Sequence, residues 1–228
     1  MASTPTAPDA PAVIPRDGGA SERVAEALRT AILHGEYPPG TRIRQEDVAA
    51  QHGASRLPVR EALRLLEAEG LVRLVANTGA WVSSLNLDEC DELYRIRERI
   101  EPLLLTYSIP ALSDDAIAEL GALAARMEAG VAVEEFLELD HRFHLATYSG
   151  ARTLTLGETV ERLWNRTQHY RRLYSLGLDA DSNRIVHDEH HMLVRAIESR
   201  DADDAERVLA GHIRRTRLEL ARHPHIFD

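Results

Sequence analysis

The chain has 228 residues, 44% of them hydrophobic, and a formal net charge of −10. That length accommodates two ordinary domains, and the single cysteine, Cys90, excludes an internal disulfide framework and suits a reducing cytosol. No apolar run approaches membrane-span length, and no charged-then-apolar leader opens the sequence, so a cytoplasmic protein without membrane contact is expected.

Residues 1–20 are mostly Ala, Pro, Ser, Thr and Gly, and read as a disordered tail. Val24, Ala25, Leu28 and Ile32 then mark an amphipathic helix that ends at His34-Gly35. Arg42 to His52 holds a second short helical pattern around Val48, Ala49 and Ala50, with Gly53 as the turn. A third helix follows. Ser55 is placed to cap it, Pro58 falls in its first turn, and Gly70 supplies its stop. Val59, Ala62, Leu63 and Leu66 share one face, and Arg56, Arg60 and Arg64 share another. That second face is either an ordinary solvated surface or one that enters a DNA major groove, where guanidinium forks meet guanine edges or phosphates. Leu71 to Leu74 and Ala80 to Val82 read as a hairpin about Ala76-Asn77-Thr78-Gly79. Helix, helix, helix, hairpin is the order of a winged helix-turn-helix. Over 21–83 there are eight arginines and eight acids, so this part is neutral and the acidity belongs to the remainder. The chain contains no lysine, which reads as composition bias.

Several short motifs resemble the DNA-binding domain of GntR-type bacterial regulators. They are Ile32-Leu33-His34-Gly35-Glu36-Tyr37-Pro38-Pro39-Gly40-Thr41-Arg42-Ile43, then Ser55 to Leu63, then Glu69-Gly70-Leu71-Val72 with Gly79-Ala80-Trp81-Val82. The resemblance covers 21–83 and implies that Ser55, Arg56 and Arg60 touch double-stranded DNA, with Gly79 at the wing tip. Many members carry an arginine in the second helix where this chain has Gln45-Glu46-Asp47; Arg44 is the candidate substitute.

From 84 to 228 strand signals vanish. Ser83-Ser84-Leu85-Asn86 reads as a hinge with Asp88 as the next helix cap. Helices are expected at roughly 88–108, 113–129, 132–149, 152–176, 182–199 and 202–222, forming an all-α antiparallel bundle. The expected fold class is therefore mainly α, a winged helix-turn-helix followed by a helical bundle.

Polar residues on the inner stripes of a bundle carry its chemistry. Asp140 and His144 lie on one such stripe with Phe136, Leu137, Phe143 and Thr147. His190 joins Val186, Leu193 and Ile197, and His212 joins Ala205, Val208, Leu209 and Thr216. One carboxylate and three imidazoles suit a divalent metal, zinc first, with nickel, manganese or iron as alternatives. The residues alone leave another reading open: hydrogen-bonded core histidines, with Asp140 paired to a buried arginine. The run Asp140-His141-Arg142-Phe143-His144, then Glu189-His190, then His212, resembles the FCD effector-binding domain of the FadR-type branch of GntR regulators. That resemblance implies that Asp140, His144, His190 and His212 hold a metal.

Arg97 sits among Leu93, Ile96, Ile100 and Leu104, so it either meets an effector carboxylate or makes a structural salt bridge to Asp140 or Glu101. Thr167 and Arg171, beside Leu163, Trp164, Tyr170 and Tyr174, are further effector candidates, Arg171 alternatively snorkelling at the rim. Together these features point to a homodimeric DNA-binding regulator, a repressor by family habit, reading a palindromic operator and responding to a small carboxylate metabolite. A metalloenzyme with an accessory winged helix, and a metal sensor without an organic effector, are the alternatives.

Overall fold

The computed structural model describes residues 18–76, 78–177 and 180–227. Most of the expected tail lies outside these residues, but its last three open the first helix, α1 (Gly18–Leu33). Two residues, Arg42–Ile43, then form strand β1, followed by α2 (Gln45–Gln51) and α3 (Arg56–Ala68). The hairpin is β2 (Val72–Val75) and β3 (Gly79–Val82). β1 is a correction: Arg42 and Ile43 were expected to begin the second helix, but they pair antiparallel with β3, Arg42 opposite Trp81 and Ile43 opposite Ala80. The sheet order is β1-β3-β2.

The apolar face of α3 organises this domain. Val59, Ala62, Leu63 and Leu66 are fully buried against Val24, Ala25, Leu28 and Ile32 of α1, Val48 of α2, and Ile43, Val72, Ala80 and Val82 of the sheet. Each large aliphatic group so buried contributes roughly 1.5–3 kcal/mol. Gly70, at φ +81°, turns the chain out of α3 into β2, a conformation that favours glycine. Ser55 occupies the cap position of α3, yet its hydroxyl makes no capping hydrogen bond.

The second domain comprises α4 (Leu87–Ser108), α5 (Asp114–Glu128), α6 (Val133–Thr147), α7 (Leu156–Leu176), α8 (Ala180–Glu198) and α9 (Ala202–Arg222). The cap of α4 is Asn86 and not Asp88: Asn86 Oδ1 accepts from Glu89 N at 2.9 Å, and Glu89 Oε2 accepts from Asn86 N at 2.9 Å. This reciprocal pair satisfies two otherwise orphaned donors. Ser113 and Asp201 cap α5 and α9 with a single side-chain bond each, accepting from Ala116 N and Asp204 N. α4 packs chiefly on α9, α5 lies between α6 and α8, and α7 leans on α4 and α6. Leu105, Leu120, Phe143, Trp164, Ile197 and Leu209 centre the core. Ile96, expected on the inner face of α4, is instead exposed.

α7 also abuts the first domain. Asn165 Nδ2 donates to Glu69 O, at the end of α3, at 3.1 Å, and the Arg162 stem lies against Gly70. The segment read as a hinge is clamped: Leu85 is buried, its N–H donates to Tyr170 Oη at 2.6 Å, and Tyr170 Oη donates to Leu85 O at 2.9 Å. Among the described residues no helix is long and apolar enough to cross a membrane.

Candidate metal centre and nucleic-acid interface

α6, α8 and α9 turn four donor side chains into one chamber. One ligand atom from each of Asp140, His144, His190 and His212 lies within 4.8 Å of every other, and all four residues are buried. Donors sharing one ion at about 2 Å stand roughly 3–4 Å apart, so only a small contraction is needed. Asp140 and His144 share a face because they are four residues apart on a helix. His190 Nε2 lies 3.3 Å and His144 Nε2 3.8 Å from Asp140 Oδ1. Neither ring nitrogen of His144 or of His190 has a hydrogen-bond partner. Buried polar atoms are normally satisfied, and each one left bare costs about 1–3 kcal/mol. A divalent cation would take one nitrogen of each ring, so the residues fit one.

Electrostatics point the same way. Burial holds the His190 imidazole down at about 4, against the pull of Asp140, and holds His144 well below its ordinary range. Both rings are therefore neutral near pH 7, the form that ligates metal. For Asp140 burial pushes the carboxyl up, but Arg171, then His144 and His190, outweigh it and keep it well below the usual carboxylate range. His212 Nδ1 donates to Glu189 Oε2 at 2.9 Å. An ionised carboxylate only accepts, so this contact puts the proton on Nδ1 and the ligating lone pair on His212 Nε2. Glu189 is held ionised in turn: His212 and Arg215 overcome the upward push of burial.

Arg171, Arg97 and Thr167 were the expected effector contacts. Arg171 is not at a rim: it is buried on α7, and its two terminal nitrogens grip both oxygens of Asp140. The arginine partner that the residues had left open for Asp140 is therefore real, yet the imidazoles beside it stay unsatisfied. Of the two readings open for Arg97, the structure shows the salt bridge to Glu101. Its guanidinium lies between the rings of Tyr94 and Trp164, 4.8 and 4.3 Å from their centroids, and pairs with Glu101. Thr167 Oγ1 accepts from Arg97 Nη1 at 2.7 Å, so these two serve each other. Glu101 also accepts from Tyr148 Oη at 2.9 Å and Trp164 Nε1 at 3.0 Å. Sequence reasoning placed Trp164 on the inner stripe but missed its contacts with Arg97 and Glu101, and it missed Tyr148 and the role of Glu189. The adjacency of Glu189 to His190, with Arg215 three residues after His212, was the available signal.

On the first domain, Arg44, Ser55, Arg56 and Arg60 are all exposed. Arg44 precedes α2 in extended conformation, while Ser55, Arg56 and Arg60 lie along the outer edge of α3. Arg56 meets Glu46 at 3.4 Å and Arg64 meets Glu61 at 2.9 Å. Among the described residues, no acid pairs with Arg60. Gly79 is the first residue of β3, at φ +108°, closing the wing turn opposite Val75.

A winged helix bearing an exposed arginine edge, joined to a helical domain with a buried His/Asp chamber, defines a class: transcription regulators that pair DNA recognition with a ligand domain. Residues 20–82 match the bacterial regulatory proteins of the gntR family, and residues 92–215 match the FCD domain. The chain belongs to the GntR family and carries an FCD domain. It is 28% identical over 195 residues to the HTH-type transcriptional repressor GlaR of Escherichia coli (strain K12), covering 82% of this chain and 89% of that protein. It is 29% identical over 181 residues to the Nta operon transcriptional regulator of Aminobacter aminovorans, covering 78% and 84%. A solved GntR-family regulator from Pseudomonas syringae pv. tomato str. DC3000 is 32% identical, with 92% of this chain and 87% of that chain covered and a TM-score of 0.55. E. coli McbR/YncC shares the fold, with a TM-score of 0.77 at 23% identity over 90% of this chain and 98% of that chain. The chain is a DNA-binding transcription regulator.

Proposed function

We propose that this regulator is a homodimeric, cytoplasmic repressor whose helical domain holds one divalent metal, zinc by preference, and a small carboxylate effector. The observation that carries the reading is the set of four buried donors, in which the ring nitrogens of His144 and His190 lack partners. Asp140, His144, His190 and His212 would hold the ion, which when bound offers open positions to a carboxylate. Glu189 orients His212, and Arg171 supplies the buried cation nearest those positions. Arg97 and Thr167 form the chamber's outer support, behind Trp164.

At the other end, Arg44, Ser55, Arg56, Arg60 and the wing at Gly79 would contact a palindromic operator, since a two-fold protein reads two-fold DNA. α7 supports a route between the two ends. It carries Arg171 toward Asp140, and Asn165 and Arg162 toward the end of the recognition helix. An effector that prefers one placement of α7 would shift the placement of α3, because only differential affinity moves such an equilibrium.

Elemental analysis of the purified protein beside His190→Ala tests the metal reading. About one divalent ion per chain, lost in the variant, is the expected result. No ion in either after reconstitution would return these histidines to a structural role.

A further inference from the structure

We propose that the groove between the winged helix and α7 binds a phosphorylated small molecule, gripped by Arg73, Arg162 and Arg166. The groove has a volume of about 540 Å³, within the range of pockets that take a small organic ligand. It lies at the last turn of α3 and at the Val72–Val82 end of the hairpin. Those are the ends farthest from Arg56 and from the Gly79 tip, so the groove is not part of the DNA-reading edge. None of the four chamber donors lines it, so it is independent of the metal as well.

Three guanidinium groups against two carboxylates line this groove, in a chain whose net charge is −10. Arg73, Arg162 and Arg166 have no ion-pair partner among the described residues. The acids nearby point elsewhere: Glu67 Oε1 accepts from Leu74 N at 2.8 Å, Glu89 Oε2 accepts from Asn86 N at 2.9 Å, and Glu69 pairs with Arg29. Arg162 and Arg166 stand four residues apart on α7, a like-charge spacing that costs stability until an anion joins them. Their stems converge on one point, since a Cβ on Gly70 would lie 2.9 Å from Arg162 Cγ and 3.1 Å from Arg166 Cγ. The hydroxyls of Ser83 and Ser84, also in the lining, make no hydrogen bond among the described residues. A carboxylate has two oxygens, enough for one guanidinium fork; three such groups with two hydroxyls match the charge and the three oxygens of a phosphoryl group. Half-buried Trp81, paired with Arg73 across the sheet, offers the organic part of the ester an aromatic face. Arg73 belongs to the winged helix and the other two to α7, so a ligand gripped by all three ties the domains together. It would thereby favour one placement of α3 against the bundle.

The test is calorimetric titration of the full-length, chelator-stripped protein with phenyl phosphate at fixed ionic strength, with benzoate as the carboxylate comparison. Wild type is expected to bind about one phenyl phosphate per chain with a Kd below about 1 mM, and benzoate about ten-fold more weakly. Arg73→Gln in one domain and Arg166→Gln in the other are each expected to weaken phenyl phosphate about ten-fold, the loss of one charge-assisted contact. His190→Ala in the chamber and Arg60→Ala on the reading helix are expected to bind it as wild type does. Four results overturn the proposal: no saturable binding by wild type, equal affinity for benzoate, wild-type affinity in either groove variant, or loss of binding in folded His190→Ala or Arg60→Ala. The last would move the phosphate to the chamber or to the DNA-reading edge. Should Arg166→Gln not fold, Arg162→Gln takes its place with the same expectation.

Discussion

Arg97 and Asp140 are both buried charges, and their surroundings separate their roles. Arg97 has a carboxylate, a hydroxyl and two aromatic faces, so nothing about it calls for a ligand. Asp140 is equally well held by Arg171, but it stands beside four bare imidazole nitrogens. Those imidazoles make stability depend on pH. Burial holds His190 at about 4, and lowers His144 and His141 in the same direction. The unfolded chain takes up protons near pH 6.5 that the folded chain refuses until lower pH. Stability is therefore full above about 6.5 and falls on acidification. The depressed Asp140 carboxyl adds a further loss below the ordinary carboxylate range. Each imidazole kept neutral costs roughly 1 kcal/mol per pH unit in that window. The melting temperature of chelator-treated protein should fall steadily from pH 7 to pH 5. A flat or rising profile would show that the chamber is wet enough to protonate without penalty.

At the level of elements, the junction between α3, β2 and α7 is tighter than the linker length suggests. A Cβ on Gly70 would stand 2.9 Å from Arg162 Cγ, 3.1 Å from Arg166 Cγ and 3.3 Å from Arg162 O. Gly53 also has positive φ, +59°, but a Cβ there meets nothing within 4 Å. Gly53→Ala therefore incurs backbone strain alone, about 1 kcal/mol, and Gly70→Ala adds the clash, for about 2–3 kcal/mol in all. Urea unfolding of the two variants gives the difference; equal losses would mean that α7 yields freely against the winged helix. Such contacts explain what could be read in advance. Periodicity located the helices, and the four-residue step from Asp140 to His144 was visible because it lies within one helix. β1 was not, since two residues display no alternation and their partner lies some forty positions on. Asn86 was passed over for Asp88, because the reciprocal bond that favours it depends on where the helix begins. The Arg171–Asp140 and Glu189–His212 pairs join different helices, and one-dimensional spacing carries no such information.

For the whole molecule, the net charge of −10 lies entirely outside the neutral winged helix, so the long-range field repels DNA. Affinity must then come from a few local cations, and the three arginines of α3 are not equivalent. Arg56 and Arg64 are already paired with Glu46 and Glu61, and would have to give up those ion pairs to reach DNA. Arg60, midway along the exposed edge, has no such debt among the described residues. Arg60→Ala should therefore weaken binding to a duplex selected from a random pool by about 1–3 kcal/mol per half-site, and Arg64→Ala by less. Salt titration distinguishes how Arg60 acts. A base-reading Arg60 leaves the slope of log affinity against log salt unchanged and relaxes specificity at one position in each half-site. A phosphate-bound Arg60 lowers the slope by about one per half-site and weakens all sequences alike. Its place in the N-terminal half of α3, the part of a reading helix that contacts base edges, leads us to expect the first pattern. Arg60→Ala binding the selected duplex as tightly as wild type would overturn the assignment of α3 as the reading helix.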